Sequence, residues 1–154
     1  MADTAEIELR DTVLALVGHF EKQHLEEYAA LFSEDTDWEN AFGWRLRGRR
    51  RLKEFLGQFL WPIQAGSKFG PMSYRAEFLF PDVALVEYSG ERIPPANSPL
   101  AKRLVRATHI LRKQNGEWQV ILTRIWDPMT PPLSPPVDRF PEFKDAPFSS
   151  MQTL

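Results

Sequence analysis

The sequence predicts an α+β fold in which helices come first and a meandering antiparallel sheet follows. Three observations carry this. Apolar residues recur at three- and four-residue steps up to Trp61, the period switches to two from Met72 onward, and "QNG" at 114–116 holds the Asn-Gly pair favoured in tight hairpins.

In the first helix Leu9, Val13, Leu16, Val17 and Phe20 form the apolar stripe, and "DTAE" can cap its start through Asp3 and Glu6. Leu25, Tyr28, Ala29 and Phe32 repeat the pattern in a shorter second helix, which "SEDTD" should end. The strand-like "DWEN" then turns back through a three-residue loop, Ala41-Phe42-Gly43, whose glycine supplies the left-handed conformation such loops need. In that register Asn40 faces Trp44 and Trp38 faces Leu46 on one side, while Glu39 meets Arg45 and Asp37 meets Arg47 on the other. Leu52, Phe55, Leu56 and Phe59 mark a third helix, which Trp61-Pro62 should close because the residue before proline avoids helical geometry.

From Met72 onward Tyr74, Ala76, Phe78 and Phe80 alternate with Ser73, Arg75, Glu77 and Leu79, the pattern of a half-buried strand. Three further strands are expected in "DVALVEYSGERI", "RLVRATHILRK" and "EWQVILTRIW", with "PPANSP" as a loop able to close over a pocket. After Asp127 the composition changes. Residues 128–154 form a proline-rich tail that can be neither helix nor central strand, and that either lies against the domain through Phe140, Phe143 and Phe148 or extends from it. The organisation is one domain, residues 1–127, with a tail.

Composition excludes several function classes. With no cysteine there is no thiol nucleophile or disulfide framework, and His19, His24 and His109 lack the spacing of a zinc site. No apolar run is long enough to span a bilayer, and the N-terminus is acidic, so a cytoplasmic protein with no membrane partner is expected. The net charge of -2 argues against a chain built to hold phosphates. Five arginines do crowd positions 45 to 51, yet their pairing with Asp37 and Glu39 and their fan around the third helix leave no single basic stripe. No nucleic-acid partner is expected. There is no glycine-rich nucleotide loop, no GxSxG, no HExxH and no serine with an evident base, so neither metal nor cofactor is expected.

The stretches "YAALFSEDTDWENAFGWRLRGRRRLKEFL", "DVALVEYSG" and "RATHILRKQNGEWQVILT" resemble the SnoaL-like proteins of the nuclear-transport-factor-2-like superfamily, in particular the SgcJ/EcaC-type branch. The resemblance spans roughly residues 7 to 127. It implies a cone-shaped barrel, a curved antiparallel sheet wrapped around three N-terminal helices, and a homodimer formed through the sheet. It also implies a cofactor-free small-molecule pocket of the cyclase, isomerase or dehydratase type. Against the ketosteroid isomerase of the same superfamily, the base position falls on Asn40, the tyrosine on Leu16 and the protonated acid on Thr108. An amide takes no proton at neutral pH and leucine donates nothing, so that isomerisation mechanism is not expected here.

Two readings of the site stay open at this point. As an enzyme acting on a hydrophobic oxygenated compound, the chain would use Asn40 to polarise a carbonyl and His109 or Asp127 to move the proton. Tyr28, Trp38, Trp44 and Phe55 would wall the pocket, with Phe59, Tyr88, Thr108 and Trp126. As a non-catalytic ligand-binding or dimeric accessory protein, the same residues would only hold the ligand or pack the core. Asn40, buried, must be bonded either to a ligand or to a neighbour such as His109 or Tyr88. If Thr108 faces inward, His109 points to the outer sheet surface; a bulged strand would turn His109 into the cavity.

Overall fold

The computed structural model describes residues 3–126 and 152–153; residues 127–151 and Leu154, which make up most of the tail and include Asp127, lie outside the described residues. Helix α1 (Thr4–Lys22) buries Leu9, Val13 and Leu16 along its stripe. Asp3 stands at its N-cap without a side-chain bond, so the capping box is not formed. Helix α2 (Leu25–Ala30) is shorter than the apolar pattern implied, because Phe32 already opens strand β1 (Phe32–Glu39).

The polar "SEDTD" therefore lies inside a strand. The cause is tertiary: β1 runs parallel to the last long strand, the Thr36 hydroxyl donates to the Val120 carbonyl at 3.1 Å, and the Val120 N–H donates to Leu31 at 2.9 Å. Strand β2 (Arg45–Arg47) returns with Asp37 opposite Arg47, Trp38 opposite Leu46 and Glu39 opposite Arg45, the register expected. Gly43 sits in the loop at φ 79°.

Helix α3 (Arg49–Phe55) widens into a π turn (Leu56–Leu60), where the Trp61 N–H reaches back five residues to Leu56, and then continues as a short turn α4 (Trp61–Ile63). Trp61-Pro62 is thus a restart rather than a stop. A proline in the first turn of a helix forfeits no bond that the helix needs.

The strands that follow are β3 (Lys68–Phe69), β4 (Ser73–Phe80), β5 (Val83–Ile93), β6 (Arg103–Gln114) and β7 (Glu117–Trp126), with β8 (Gln152–Thr153) pairing with Tyr74 and Ser73. The sheet order is β2-β1-β7-β6-β5-β4-β8, with β3 beside β5. All pairings are antiparallel except β1 with β7. The turn between β6 and β7 has Asn115 at φ 52° and Gly116 at φ 82°, both in the left-handed region as the Asn-Gly pair predicts.

The sheet buries Ala84, Val86, Leu111, Trp118 and Val120 against the stripe of α1 and against Tyr28, Phe32 and Trp38. Strand β6 alternates without interruption, so Val105, Ala107, His109 and Leu111 share the inner face. The irregularity lies in β7, where Ile121 is the extra residue between the pairs Leu111↔Val120 and Ile110↔Leu122. Beyond it Thr123 and Ile125 face inward, while Arg124 and Trp126 face out. Among the described residues no helix is long and apolar enough to cross a membrane.

Candidate functional site

Between α1, the π turn and the inner face of β5 to β7 lie two adjoining chambers that share Phe20, Phe69, Val105 and Ile125 as walls. The first, of about 60 Å³, opens beside the β1–β2 loop and adds Trp38, Asn40, Phe42, Gln64, Arg92 and Arg103. The second, of about 40 Å³, lies deeper, with Tyr28, Met72, Tyr88 and Ala107 on its walls. Each is small beside the roughly 300 Å³ or more of a typical ligand pocket, so a ligand larger than a few atoms must part the aromatic rings at the rim. A wider groove of about 250 Å³ between α1 and β4 is lined by Glu6, Ile7, Arg10 and Tyr74.

A chain of three polar side chains backs the deeper chamber. Tyr88 and His109 sit on neighbouring strands of the inner face; the Tyr88 hydroxyl lies 2.9 Å from His109 Nε2, and His109 Nδ1 lies 2.7 Å from the Thr123 hydroxyl. His109 is fully buried, and burial pushes its pKa down to about 3. The same cause raises Tyr88 and Tyr28, the latter also through the neighbouring Tyr88. All three are neutral at pH 7. The network has two proton arrangements: with Nδ1–H donated to Thr123, Nε2 accepts from Tyr88; with Nε2–H donated to Tyr88, the tyrosine is free to donate into the chamber. Tyr28 borders the same chamber, and among the described residues its hydroxyl makes no hydrogen bond.

His109 therefore faces inward, by plain alternation and not by a bulge in its own strand. Thr108 is corrected to the outer face, where its hydroxyl points to Glu87 at 3.4 Å, because residues 108 and 109 of one strand cannot share a face. Trp126 is corrected in the same way. It lies outside the cone, with the Arg106 guanidinium 4.8 Å over its ring.

Asn40 is buried, but its Oδ1 accepts from the N–H groups of Phe42 at 3.0 Å and Trp44 at 3.1 Å. Its carbonyl holds the loop and is bonded to neither His109 nor Tyr88. Asn40 borders the outer chamber, and among the described residues its amide nitrogen makes no hydrogen bond. Trp38 lines that chamber as expected. Trp44 and Phe59 are each 44% exposed and, with Phe42, form an aromatic rim, while Phe55 packs beneath Trp38 and Trp44 without reaching either chamber. Asp127 lies outside the described residues.

The arginine-rich segment is largely spent on structure. Asp37 is bonded by Arg45 and approached by Arg47 and Arg124, which holds its carboxyl well below the usual range, and Arg49 donates to the Phe32 carbonyl at 2.7 Å. Among the described residues no group of three His, Cys, Asp or Glu is placed to hold a metal ion. Four residues of the site went unread in the sequence: Thr123, Met72, Arg92 and Arg103. The period of two in "YSGER" does put Arg92 on the face of Tyr88. Thr123 meets His109 only through the β6–β7 register and the bulge, which no local pattern announces.

No protein-family model and no curated protein matches the sequence. Solved structures do match in fold. A candidate dehydratase of the NTF2-like family from Streptomyces avermitilis is 16% identical, with a TM-score of 0.72 over 83% of this chain and 99% of that one. A candidate scytalone dehydratase from Novosphingobium aromaticivorans is 20% identical, with a TM-score of 0.66 over 84% and 87%. A protein of unknown function with a cystatin-like fold from Nostoc punctiforme is 19% identical, with a TM-score of 0.68 over 86% and 97%. The dehydrochlorinase LinA matches at 14% identity and a TM-score of 0.72, over 84% of this chain and 90% of LinA. The helices packed into a mostly antiparallel sheet are thus the cone of the nuclear-transport-factor-2-like, cystatin-like fold.

Proposed function

We propose that the chain is a cofactor-independent lyase or isomerase acting on a small, largely apolar, oxygenated compound, with Tyr88 as the group that exchanges a proton with it. The observation that carries this reading is the buried Tyr88–His109–Thr123 chain opening on a chamber that Tyr28 also borders with an uncommitted hydroxyl.

In an elimination, the Tyr88 oxygen takes the proton from the substrate C–H bond as its own proton passes to His109 Nε2. The electrons of the C–H bond form the double bond, and the C–O bond to the leaving hydroxyl breaks. The proton then returns from Nε2 through Tyr88 to that hydroxyl, so that water leaves and the relay is restored. Tyr28 donates a hydrogen bond to the oxygen on which charge develops. A histidine whose burial disfavours the imidazolium holds the proton only briefly, which suits a relay that must give it back. The fold likeness to dehydratases and a dehydrochlorinase supports an elimination as the reaction type.

The finer placement in the SgcJ/EcaC-type branch of polyketide cyclase-like proteins rests on the three sequence stretches that carry the resemblance. A cytoplasmic location rests on the cysteine-free sequence, which suits a reducing compartment. A homodimer through the outer sheet face is supported by the row Leu85, Ile110 and Leu122, half-buried side chains in register across three strands. The competing reading, a binding protein without catalysis, is favoured by one observation: burial pushes the histidine behind the deeper chamber, His109, down to about 3, far from neutral pH.

Turnover decides between them. The purified chain is assayed by mass spectrometry against a panel of hydroxylated and halogenated alicyclic and aromatic compounds, beside the Tyr88→Phe and Tyr28→Phe variants. Loss of water or hydrogen halide that falls by roughly 10²- to 10⁴-fold in Tyr88→Phe is expected. Turnover that survives that substitution removes the assignment. Bound but unchanged compounds favour the competing reading.

A further inference from the structure

We infer that His19 and His24, at the turn between α1 and α2, form a two-imidazole seat for a divalent transition-metal ion of the zinc type. The Nδ1 atoms of the two rings face each other at 3.4 Å. That is longer than the roughly 2.7 to 3.2 Å at which nitrogen donors ordinarily hydrogen-bond. It matches two nitrogens held at about 2.0 to 2.1 Å by one tetrahedral ion, which stand about 3.4 Å apart. The ring centres are 5.6 Å apart and the rings are tilted by 42°, so a small swing of the exposed His24 ring aims both Nδ1 lone pairs at one point. With the proton of each neutral ring on Nε2, lone pair faces lone pair, and a cation between them relieves that repulsion.

The backbone presets the pair. Residues five apart on a continuous helix point about 140° away from each other. Helix α1 ends instead at Gln23, whose left-handed φ of 55° turns the chain so that the His24 N–H donates to the His19 carbonyl at 2.9 Å and the Gln23 N–H to the Phe20 carbonyl at 3.1 Å. A residue other than glycine rarely holds that conformation unaided. Gln23 is anchored by its own side chain, whose Nε2 donates to the Trp61 carbonyl at 2.8 Å. Helix α2 follows at once, the Tyr28 N–H donating to the His24 carbonyl at 2.9 Å. Both imidazoles therefore hang from hydrogen-bonded backbone, and little chain ordering opposes the binding of an ion. Imidazole nitrogen suits zinc, nickel and copper, whereas magnesium and calcium take oxygen ligands. Water completes the coordination, since a pair of histidines chelates without enclosing. The seat lies outside the two chambers yet on the turn that carries their walls: Phe20 follows His19, and Tyr28 is bonded to His24. An ion there clamps that helical hairpin.

The test titrates Zn²⁺ into the full, untagged chain after treatment with EDTA, followed by calorimetry and by nitrogen NMR of the histidine rings. The chain has three histidines and His109 is fully buried, so the pair is read against an internal control. One ion per chain is expected, with the Nδ1 signals of His19 and His24 moving together and that of His109 unmoved. Ni²⁺ should compete, and Mg²⁺ in about tenfold excess should not. His19→Gln and His24→Gln should each weaken Zn²⁺ by about tenfold or more, because one imidazole alone loses the chelate. The Tm of the native chain should rise with Zn²⁺ concentration and that of His24→Gln should not, as expected for an ion that binds the folded hairpin. His24 is exposed, so its substitution leaves the core intact, and the ring signals of the unsubstituted chain carry the test if His19→Gln fails to fold. Ring signals that stay still, or only one that moves, would overturn the seat. So would affinity no tighter than that of free imidazole. Zn²⁺ bound as tightly by His24→Gln would assign the ion to the carboxylates of the acidic N-terminal segment and overturn it equally.

Discussion

His109 holds the most information of any single residue, because its position, its partners and its protonation state all follow from burial. Its folded pKa of about 3 lies below the ordinary 6.5, so between these values the unfolded chain binds a proton that the native chain does not. Its contribution is therefore fully present above pH 6.5 and is lost as pH falls toward 3. Between pH 7 and pH 5 this removes roughly 2 kcal/mol of stability. Urea denaturation across that range should show the slope in the native chain and its loss in His109→Gln; an unchanged slope would refute the assignment. Asn40 makes a separable prediction. Asn40→Ala should cost about 1 to 2 kcal/mol by removing two bonds to the loop, whereas Asn40→Asp, which retains both acceptors, should cost less than half of that. Chemical denaturation of the two variants decides it.

At the scale of elements, β5 and the segment leading into β4 set the width of the deeper chamber. A Cβ at Gly90 would run into the sulfur of Met72, whose side chain lines that chamber. Gly90→Ala should displace the thioether, cost about 1 to 3 kcal/mol as overpacking and reduce ligand affinity. The double variant Gly90→Ala with Met72→Ala should recover part of both, as read from denaturation midpoints and binding. The β1–β2 hairpin was the element most legible in the sequence. Alternating charges, a glycine at the left-handed position and an Asn four residues before Trp44 all agree with one register, and that is the register observed. Strand β1 was legible only in its second half. Its first half, "SEDTD", is polar enough to read as a break, and it is a strand because β7 supplies hydrogen-bond partners to it.

Across the whole molecule the outer sheet face alternates rows of charge with a row of apolar side chains. Glu87, Thr108, Arg124 and Glu39 stand in register on neighbouring strands, and Arg75 and Arg106 both pair with Glu87. Charges satisfied within one face leave little repulsion against a second copy, and the Leu85–Ile110–Leu122 row offers it apolar area. Ile110→Glu should convert a dimer to a monomer in sedimentation, with the Tyr88–His109 chemistry retained at the opposite face of the sheet. A chain that sediments as a monomer without the substitution would refute the dimer.

The sequence by itself determined the order of elements, the hairpin register, the Asn-Gly turn and the inner position of Tyr28 and Trp38, because each depends on a period or a turn rule confined to a few neighbouring residues. Only the tertiary structure decided that β1 joins β7 in parallel, that Thr108 and Trp126 face outward while His109 faces in, and that Thr123 completes the hydrogen-bond chain of Tyr88 and His109. The physical reason is register. Which side of a sheet a residue occupies changes with a shift of one position, and the bulge at Ile121 and the partners that fix such shifts lie far away in the chain.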